Sequence, residues 1–160
     1  MSGFDPYQEL WRSLVDRVYK TREGFGGLSE NERTYFAVMI LGGEVHNGGM
    51  EQFFSNSSGE FYEEALQGLG KIGATSFQEL LSRAAAILFG EKDPPKDVDE
   101  RNDLMYLHTE EGDESLPDWS RELTEIDKYF WANFDALADL LQGFADAHEL
   151  VAPFAGDENS

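Results

Sequence analysis

At positions 44–59 the sequence reads Glu44-Val45-His46-Asn47-Gly48-Gly49-Met50-Glu51-Gln52-Phe53-Phe54-Ser55-Asn56-Ser57-Ser58-Gly59. Its two adjacent glycines permit backbone angles that are closed to other residues, and its Asn, Gln and Ser side chains can hydrogen bond to the chain itself. Its apolar residues favour burial. We therefore predict that this stretch, here called the corner, contains a helix end, a tight turn, a short helix, a second turn and a new helix start. Such an arrangement fixes how the flanking helices cross.

The polar residues of the corner allow two interpretations. Asn47 is predicted to cap the short helix, and Ser57 with Glu60 has the spacing of a capping box for the next helix. Asn47, Gln52 and Asn56 could also line a small ligand pocket, or satisfy backbone groups in a tight buried turn. Because no basic or nucleophilic residue stands nearby, we favour the structural interpretation.

Helical signals flank the corner on its N-terminal side. Asp5-Pro6 combines a cap with a proline at the first helical position, and Ser29 with Glu32 forms a second capping box. The helix that follows Ser29 is predicted to extend to about Leu41. Apolar residues cover most of its circumference, so we expect it to be central and buried.

On the C-terminal side, the helical periodicity continues to the end of the chain. The predicted segments are, in order, about 59–71, 76–90, 97–107, 118–127 and 128–149. Ser76 with Glu79, and Asp97 with Glu100, have capping-box spacing. No stretch shows sustained strand alternation. The sequence therefore predicts a single compact all-α domain of about seven to eight helices over residues 1–154, with a frayed tail at residues 155–160.

The composition narrows the classes of function. The chain has 160 residues, with 32 acidic and 12 basic residues and a formal net charge of −20. A phosphate backbone would repel such a protein, so we expect no direct binding to nucleic acid or to an anionic membrane. Without cysteine there is no thiolate ligand or thiol nucleophile. No apolar run is long enough to span a bilayer, and we expect a soluble cytoplasmic protein.

Two patterns that suggest cofactors have simpler explanations. Gly68-Leu69-Gly70-Lys71-Ile72-Gly73 matches a dinucleotide fingerprint, but such a fingerprint needs a strand before it, and here a helix precedes it. The histidines His46, His108 and His148 lack the paired spacing of a metal site. We therefore predict no metal, no cofactor and no catalytic residue.

The acidic residues are concentrated in one region. Residues 91–127 hold 14 acidic and 4 basic residues. Carboxylates at positions i and i+4 of a helix stand about 6 Å apart along its axis, so a helix with its flanking loops could present a row of negative charges to a basic DNA-binding groove. The simpler interpretation is a solvated surface. The candidate partner-binding residues are Asp93, Asp97, Glu100, Asp103, Glu110, Glu111, Asp113, Glu114 and Asp118.

The pattern Asn47-Gly48-Gly49-x-x-Gln52-Phe53-Phe54-x-Asn56-Ser57-x-Gly59 resembles the central motif of a family of small bacterial helical domains. Ala65-Leu66-x-x-Leu69-Gly70-x-x-Gly73-Ala74 and Leu123-x-x-Ile126-Asp127-x-x-Phe130 fit the same family, and the resemblance covers roughly residues 30–150. An acidic DNA-mimic protein, which occupies the DNA-binding face of a transcription regulator, typifies the family. The resemblance thus implies a non-enzymatic protein that binds a basic partner such as a DNA-binding regulator.

Other functions remain open from the sequence. One alternative is an immunity-type inhibitor of a basic toxin, and another is an enzyme or ligand binder with a pocket near Asn47 and Gln52. The resemblance also implies a homodimer, because the acidic mimic of the family is dimeric. Its interface is predicted at the aromatic residues Trp119, Tyr129, Phe130 and Trp131, since so many large aromatic side chains in a short stretch exceed what one core is expected to bury.

Overall fold

A computed structural model of the chain describes residues 5–106 and 119–151. These residues form seven α-helices and two short 3-10 turns, and no strand occurs among them. The helices are α1 (Pro6–Lys20), α2 (Glu30–Ser55), α3 (Tyr62–Lys71), α4 (Thr75–Phe89), α5 (Val98–Met105), α6 (Trp119–Ala132) and α7 (Phe134–Ala147). The 3-10 turns are Gly24–Gly27 and Ser57–Phe61. The prediction of a single all-α domain of about seven to eight helices is confirmed.

The helix starts predicted on the N-terminal side are confirmed. The Asp5 carboxylate accepts from the Tyr7 backbone N–H at 3.0 Å, directly before α1. At the start of α2, the Ser29 hydroxyl accepts from the Glu32 backbone N–H at 3.2 Å, and the Glu32 carboxylate accepts from the Ser29 N–H at 2.9 Å. This reciprocal pair satisfies two backbone donors that the first turn of a helix leaves free.

Helix α2 lies at the centre of the molecule, as predicted, and packs against α1, α3, α5, α6 and α7. Its predicted end near Leu41 is wrong, because α2 continues to Ser55. Gly42 and Gly43 keep helical backbone angles, and the helix departs from them only at Gly48 and Gly49. Propensity alone disfavours glycine in a helix, but here tertiary packing on both sides of α2 outweighs that cost.

The caps predicted for α3 and α4 are wrong. The 3-10 turn before α3 has no side-chain cap, and neither has α4, which begins one residue before Ser76. Gly73 has a φ of +83°, and the Ala74 N–H donates to the Leu69 carbonyl at 2.8 Å. This backbone closure ends α3 and leads directly into α4, so Ser76 already lies inside the helix.

The end of α4 at Gly90 and the cap of α5 agree with the sequence. Gly90 has a φ of +71°, and the Asp97 carboxylate accepts from the N–H groups of Asp99 and Glu100 at 2.8 and 3.0 Å.

The predicted break at residues 127–128 is wrong. Buried Asp127 and Phe130 keep α6 helical, and the chain turns only at Asn133.

The core is continuous and rich in aromatic side chains. The Phe36 ring lies 5.3 Å from both Trp11 and Phe61 between ring centroids, so α1, α2 and the second 3-10 turn meet at one side chain. Offset and edge-to-face pairs of this kind add to the stabilisation from burial alone. Within the described ranges, no helix has the length and apolar character required to cross a bilayer.

Candidate functional site

The corner divides α2 into two helical segments at a kink, so the helix end that the sequence predicts in this stretch is present. Gly48 has φ −151° and ψ 16°, and Gly49 has φ 78° and ψ −177°. The Gly49 conformation is accessible essentially to glycine alone. A Cβ at Gly49 would also collide with the carboxylate of Asp127. Both the backbone angles and the space therefore require glycine at this position.

Asp127 of α6 caps the second segment of α2. Its Oδ1 accepts from the Met50 backbone N–H at 2.8 Å, across a sequence separation of 77 residues. The cap predicted at Asn47 is wrong, because the Asn47 side chain is exposed and makes no hydrogen bond to any described residue. Burial raises the pKa of Asp127, and Glu51 acts in the same direction, whereas the bond from Met50 lowers it.

Gln52 and Asn56 connect the second segment of α2 to the first. Their amide nitrogens both donate to Oε2 of Glu44, at 2.8 Å from Gln52 and 3.1 Å from Asn56. Gly48 lets Gln52 reach back over the kink, since a Cβ there would collide with the Gln52 amide. The next two side chains, Phe53 and Phe54, are fully buried. The described hydrogen bonds of Gln52 and Asn56 thus join the two segments of α2.

Arg101 of α5 closes the C-terminal end of α2 and was missed by sequence reasoning. The Arg101 side chain is fully buried. Its guanidinium donates to the carbonyls of Phe54 and Asn56 at 2.8 and 2.7 Å, and to those of Pro95 and Lys96 at 2.8 Å each. Burial lowers the pKa of Arg101, while the charges of Glu60 and Asp97 raise it. The last carbonyls of a helix lack partners within it, and here one side chain supplies them.

Gly59 and Asn102 complete this arrangement. A Cβ at Gly59 would lie 2.6 Å from Nε of Arg101, so glycine makes room for the guanidinium. The Asn102 amide donates to the Ser55 carbonyl at 2.9 Å. The available signal for Arg101 was its position as the single basic residue in the acidic α5 segment VDERNDLM.

The described part of the predicted acidic surface lies on α5 and the loop before it. The structure describes four of the predicted residues, all exposed: Asp93, Asp97, Glu100 and Asp103. None of them forms an ion pair with another described residue. The other five, Glu110, Glu111, Asp113, Glu114 and Asp118, lie outside the described residues. The carboxylate of Asp97 is partly engaged as the cap of α5.

The predicted aromatic interface divides into buried and exposed side chains. Phe130 is a core residue, with 2% of its surface exposed, and Trp119 packs against the core while donating to the Met105 carbonyl at 2.9 Å. Trp131 is 46% exposed although its Nε1 donates to the Val45 carbonyl at 2.8 Å. Tyr129 is 37% exposed. Only Tyr129 and Trp131 therefore present substantial surface to a partner.

The remaining candidates from the sequence are the glycine-rich pattern and the histidines, of which His108 lies outside the described residues. Gly68 and Gly70 of the glycine-rich pattern lie within α3, not after a strand. The His46 ring is exposed and packs on Phe134 at 4.6 Å between centroids, and His148 contacts the Asn31 amide at 3.1 Å. In the two described ranges, no three His, Asp or Glu side chains are grouped so that they could hold a metal ion.

The geometry defines a small, strongly acidic, all-α domain that is organised by a kinked central helix. A comparison with protein-family models matches the chain over residues 26–148 to the family described as DMP19-like protein. The chain belongs to this family, and the matched range includes the whole corner and all of α2 to α7. No curated protein and no solved structure matches the chain.

Proposed function

We propose that this protein is a non-enzymatic acidic protein that binds a basic partner, such as a DNA-binding transcription regulator, in competition with DNA. Its net charge of −20 supports attraction to a basic surface and repulsion from nucleic acid. Membership of the DMP19-like family is consistent with this proposal.

The orientation of Arg101 is the observation that carries the proposal. The α5 helix contains three acidic side chains, Asp99, Glu100 and Asp103, and all of them are exposed. Its one basic side chain, Arg101, points inward and donates hydrogen bonds to four backbone carbonyls. The outer surface of α5 is consequently acidic without a basic residue of its own. Lys96, which precedes the cap of α5, lies 3.9 Å from Glu64.

The α5 surface can present negative charges to a partner at a fixed spacing. Asp99 and Asp103 stand one turn apart on the same side of α5, about 6 Å along the axis. Such contacts should be numerous and individually weak, so that added salt dissociates the complex through screening. Exposed charges of this kind contribute little to folding, and they can therefore be changed without loss of structure.

A matched pair of charge reversals tests the surface. Asp99 and Asp103 are the second and sixth residues of α5, and Asp135 and Asp139 are the second and sixth residues of α7. All four side chains are exposed. We expect Asp99→Lys with Asp103→Lys to weaken partner binding at least about tenfold, equivalent to 1.4 kcal/mol, and the α7 pair to have a much smaller effect. Equal effects would show that net charge alone matters.

Capture from cell extract at low and high salt identifies the partner class. The proposal predicts a basic DNA-binding protein that is released by salt and by competing DNA in a gel-shift assay. Capture of a basic nuclease would instead favour the immunity-type inhibitor. If DNA and this protein occupy the captured partner together, the competition mechanism is wrong.

Self-association is part of the same proposal. We propose a homodimer whose interface includes Tyr129 and Trp131 of α6, because both expose large aromatic surface. Leu140 of α7 is also 39% exposed. Sedimentation at micromolar concentration and at several salt concentrations measures the dimer directly, since the high net charge opposes association at low salt.

A further inference from the structure

A cleft of about 330 Å³ lies between α1, α2 and α7, apart from the corner and from α5. Its walls are apolar and largely aromatic, formed by Trp11, Tyr35, Met39, Phe134 and Leu141. Its polar lining is supplied by Asp5, Tyr7, Gln8 and Gln142. A few polar groups in an apolar concavity of this size are typical of a site for a small ligand.

Tyr35 lines this cleft. Only 2% of the Tyr35 surface is exposed, and its hydroxyl makes no hydrogen bond to any described residue. Burial raises the pKa of Tyr35 to about 12, with Tyr7, Asp5 and Asp146 acting in the same direction. The hydroxyl therefore remains neutral, and its oxygen can accept a hydrogen bond.

Tyr7 also presents an acceptor to the cleft. Its single hydroxyl proton is directed to the carboxylate of Asp146, with Oη at 2.8 and 2.9 Å from the two Oδ atoms. The lone pairs of the Tyr7 oxygen remain available. No Lys, Arg or His side chain lines the cleft, while Asp5 lines it and Asp146 stands behind Tyr7. A matching ligand must therefore bring hydrogen-bond donors and a positive charge.

We propose that this cleft binds an organic cation, a primary ammonium group carried on an apolar stem. The ammonium donates to Tyr35 Oη and lies within the field of Asp5 and Asp146, while the stem packs against Trp11 and Phe134. Aromatic rings attract such cations through their electron-rich faces. The ammonium can belong to a free amine or to a lysine side chain of a protein. This site is independent of the acidic surface of α5.

A titration with paired ligands tests the proposal. Calorimetry or NMR with n-butylamine and with n-butanol compares the same stem with and without charge, and we expect the amine to bind at least about tenfold more tightly. Lysine blocked at both its α-amino and carboxyl groups forms the second arm. Binding of the blocked lysine indicates a protein side chain as the source, and its exclusion indicates a free amine. Equal binding of amine and alcohol, or no binding by either, overturns the proposal.

Matched tyrosine variants locate the bound cation. Tyr35→Phe removes only the hydroxyl, which makes no hydrogen bond to any described residue, so the fold should be retained, and amine affinity should fall about fivefold while butanol affinity is unchanged. Tyr19→Phe makes the same change at a 59% exposed position of α1 outside the cleft and should have no effect. Asp146→Asn should weaken amine binding most at low salt. If both Tyr35→Phe and Asp146→Asn bind the amine normally, the cation does not lie in this cleft.

Discussion

Substitution of Gly49 by alanine should destabilise the protein through two identifiable effects. Alanine at φ 78° and ψ −177° is strained, which costs about 1–3 kcal/mol. Its Cβ also displaces the Asp127 carboxylate from the Met50 N–H, and a lost hydrogen bond of this kind costs about 1–3 kcal/mol. The sum is about 2–6 kcal/mol, a large part of the stability of an ordinary domain. Since 1 kcal/mol shifts the midpoint by about 2–4 °C at this size, a fall of about 10 °C is expected.

Urea and thermal unfolding of three single-residue variants provide the measurement and its control. Gly43→Ala lies in the same helix, is exposed, and would place its Cβ in open space. It should therefore stabilise the protein by up to about 1 kcal/mol. Gly48→Ala should lie between the two, because the clashing Gln52 amide is the end of a flexible side chain. If Gly49→Ala unfolds within about 0.5 kcal/mol of the unsubstituted protein, the kink does not require glycine and the reasoning is refuted.

Three further predictions concern Arg101, Asp127 and Trp131. Arg101→Met should cost more than about 3 kcal/mol in chemical unfolding, because it leaves four carbonyls without their donor, while Arg121→Met at an exposed position should be nearly neutral. The folded-state pKa of Asp127 is raised, so its protonated form is favoured by folding. Its stabilising contribution is present below the usual pKa of 3.8 and is lost as pH rises through the pKa of Asp127 in the folded protein. Asp127→Asn keeps an acceptor for Met50, so unfolding curves measured across that pH range should no longer show this loss. Trp131→Ala should weaken the proposed dimer in sedimentation, whereas Tyr19→Ala should not.

Helix caps could be predicted from the sequence where the interacting residues are close together in the chain. The cap at Asp5, the reciprocal pair of Ser29 with Glu32, and the cap at Asp97 are confirmed because each bond spans two or three residues. The same spacing at Ser57–Glu60 and Ser76–Glu79 gave wrong caps. At the second site, backbone closure at Gly73 moves the helix start and removes the need for a side chain.

The candidate site was harder to predict because its key contacts are distant in sequence. Asp127 meets Met50 from 77 residues away, and Arg101 meets Phe54 from 47 residues away. The sequence shows that Asp127 and Arg101 are charged, but it does not show whether tertiary packing turns their side chains inward. The corner was recognised from its glycines, while the residues that require those glycines became apparent only from the packed structure.

The hydrogen bond from Met50 to Asp127 makes one backbone amide a reporter of tertiary assembly. An amide bonded within its own helix is protected from hydrogen exchange while that helix persists, even when other helices separate. The Met50 amide instead has its acceptor on α6, so it can exchange whenever α6 leaves α2, even with both segments of α2 intact. Comparison of Met50 with amides in the middle of α2 would then give the free energy of detaching α6 alone.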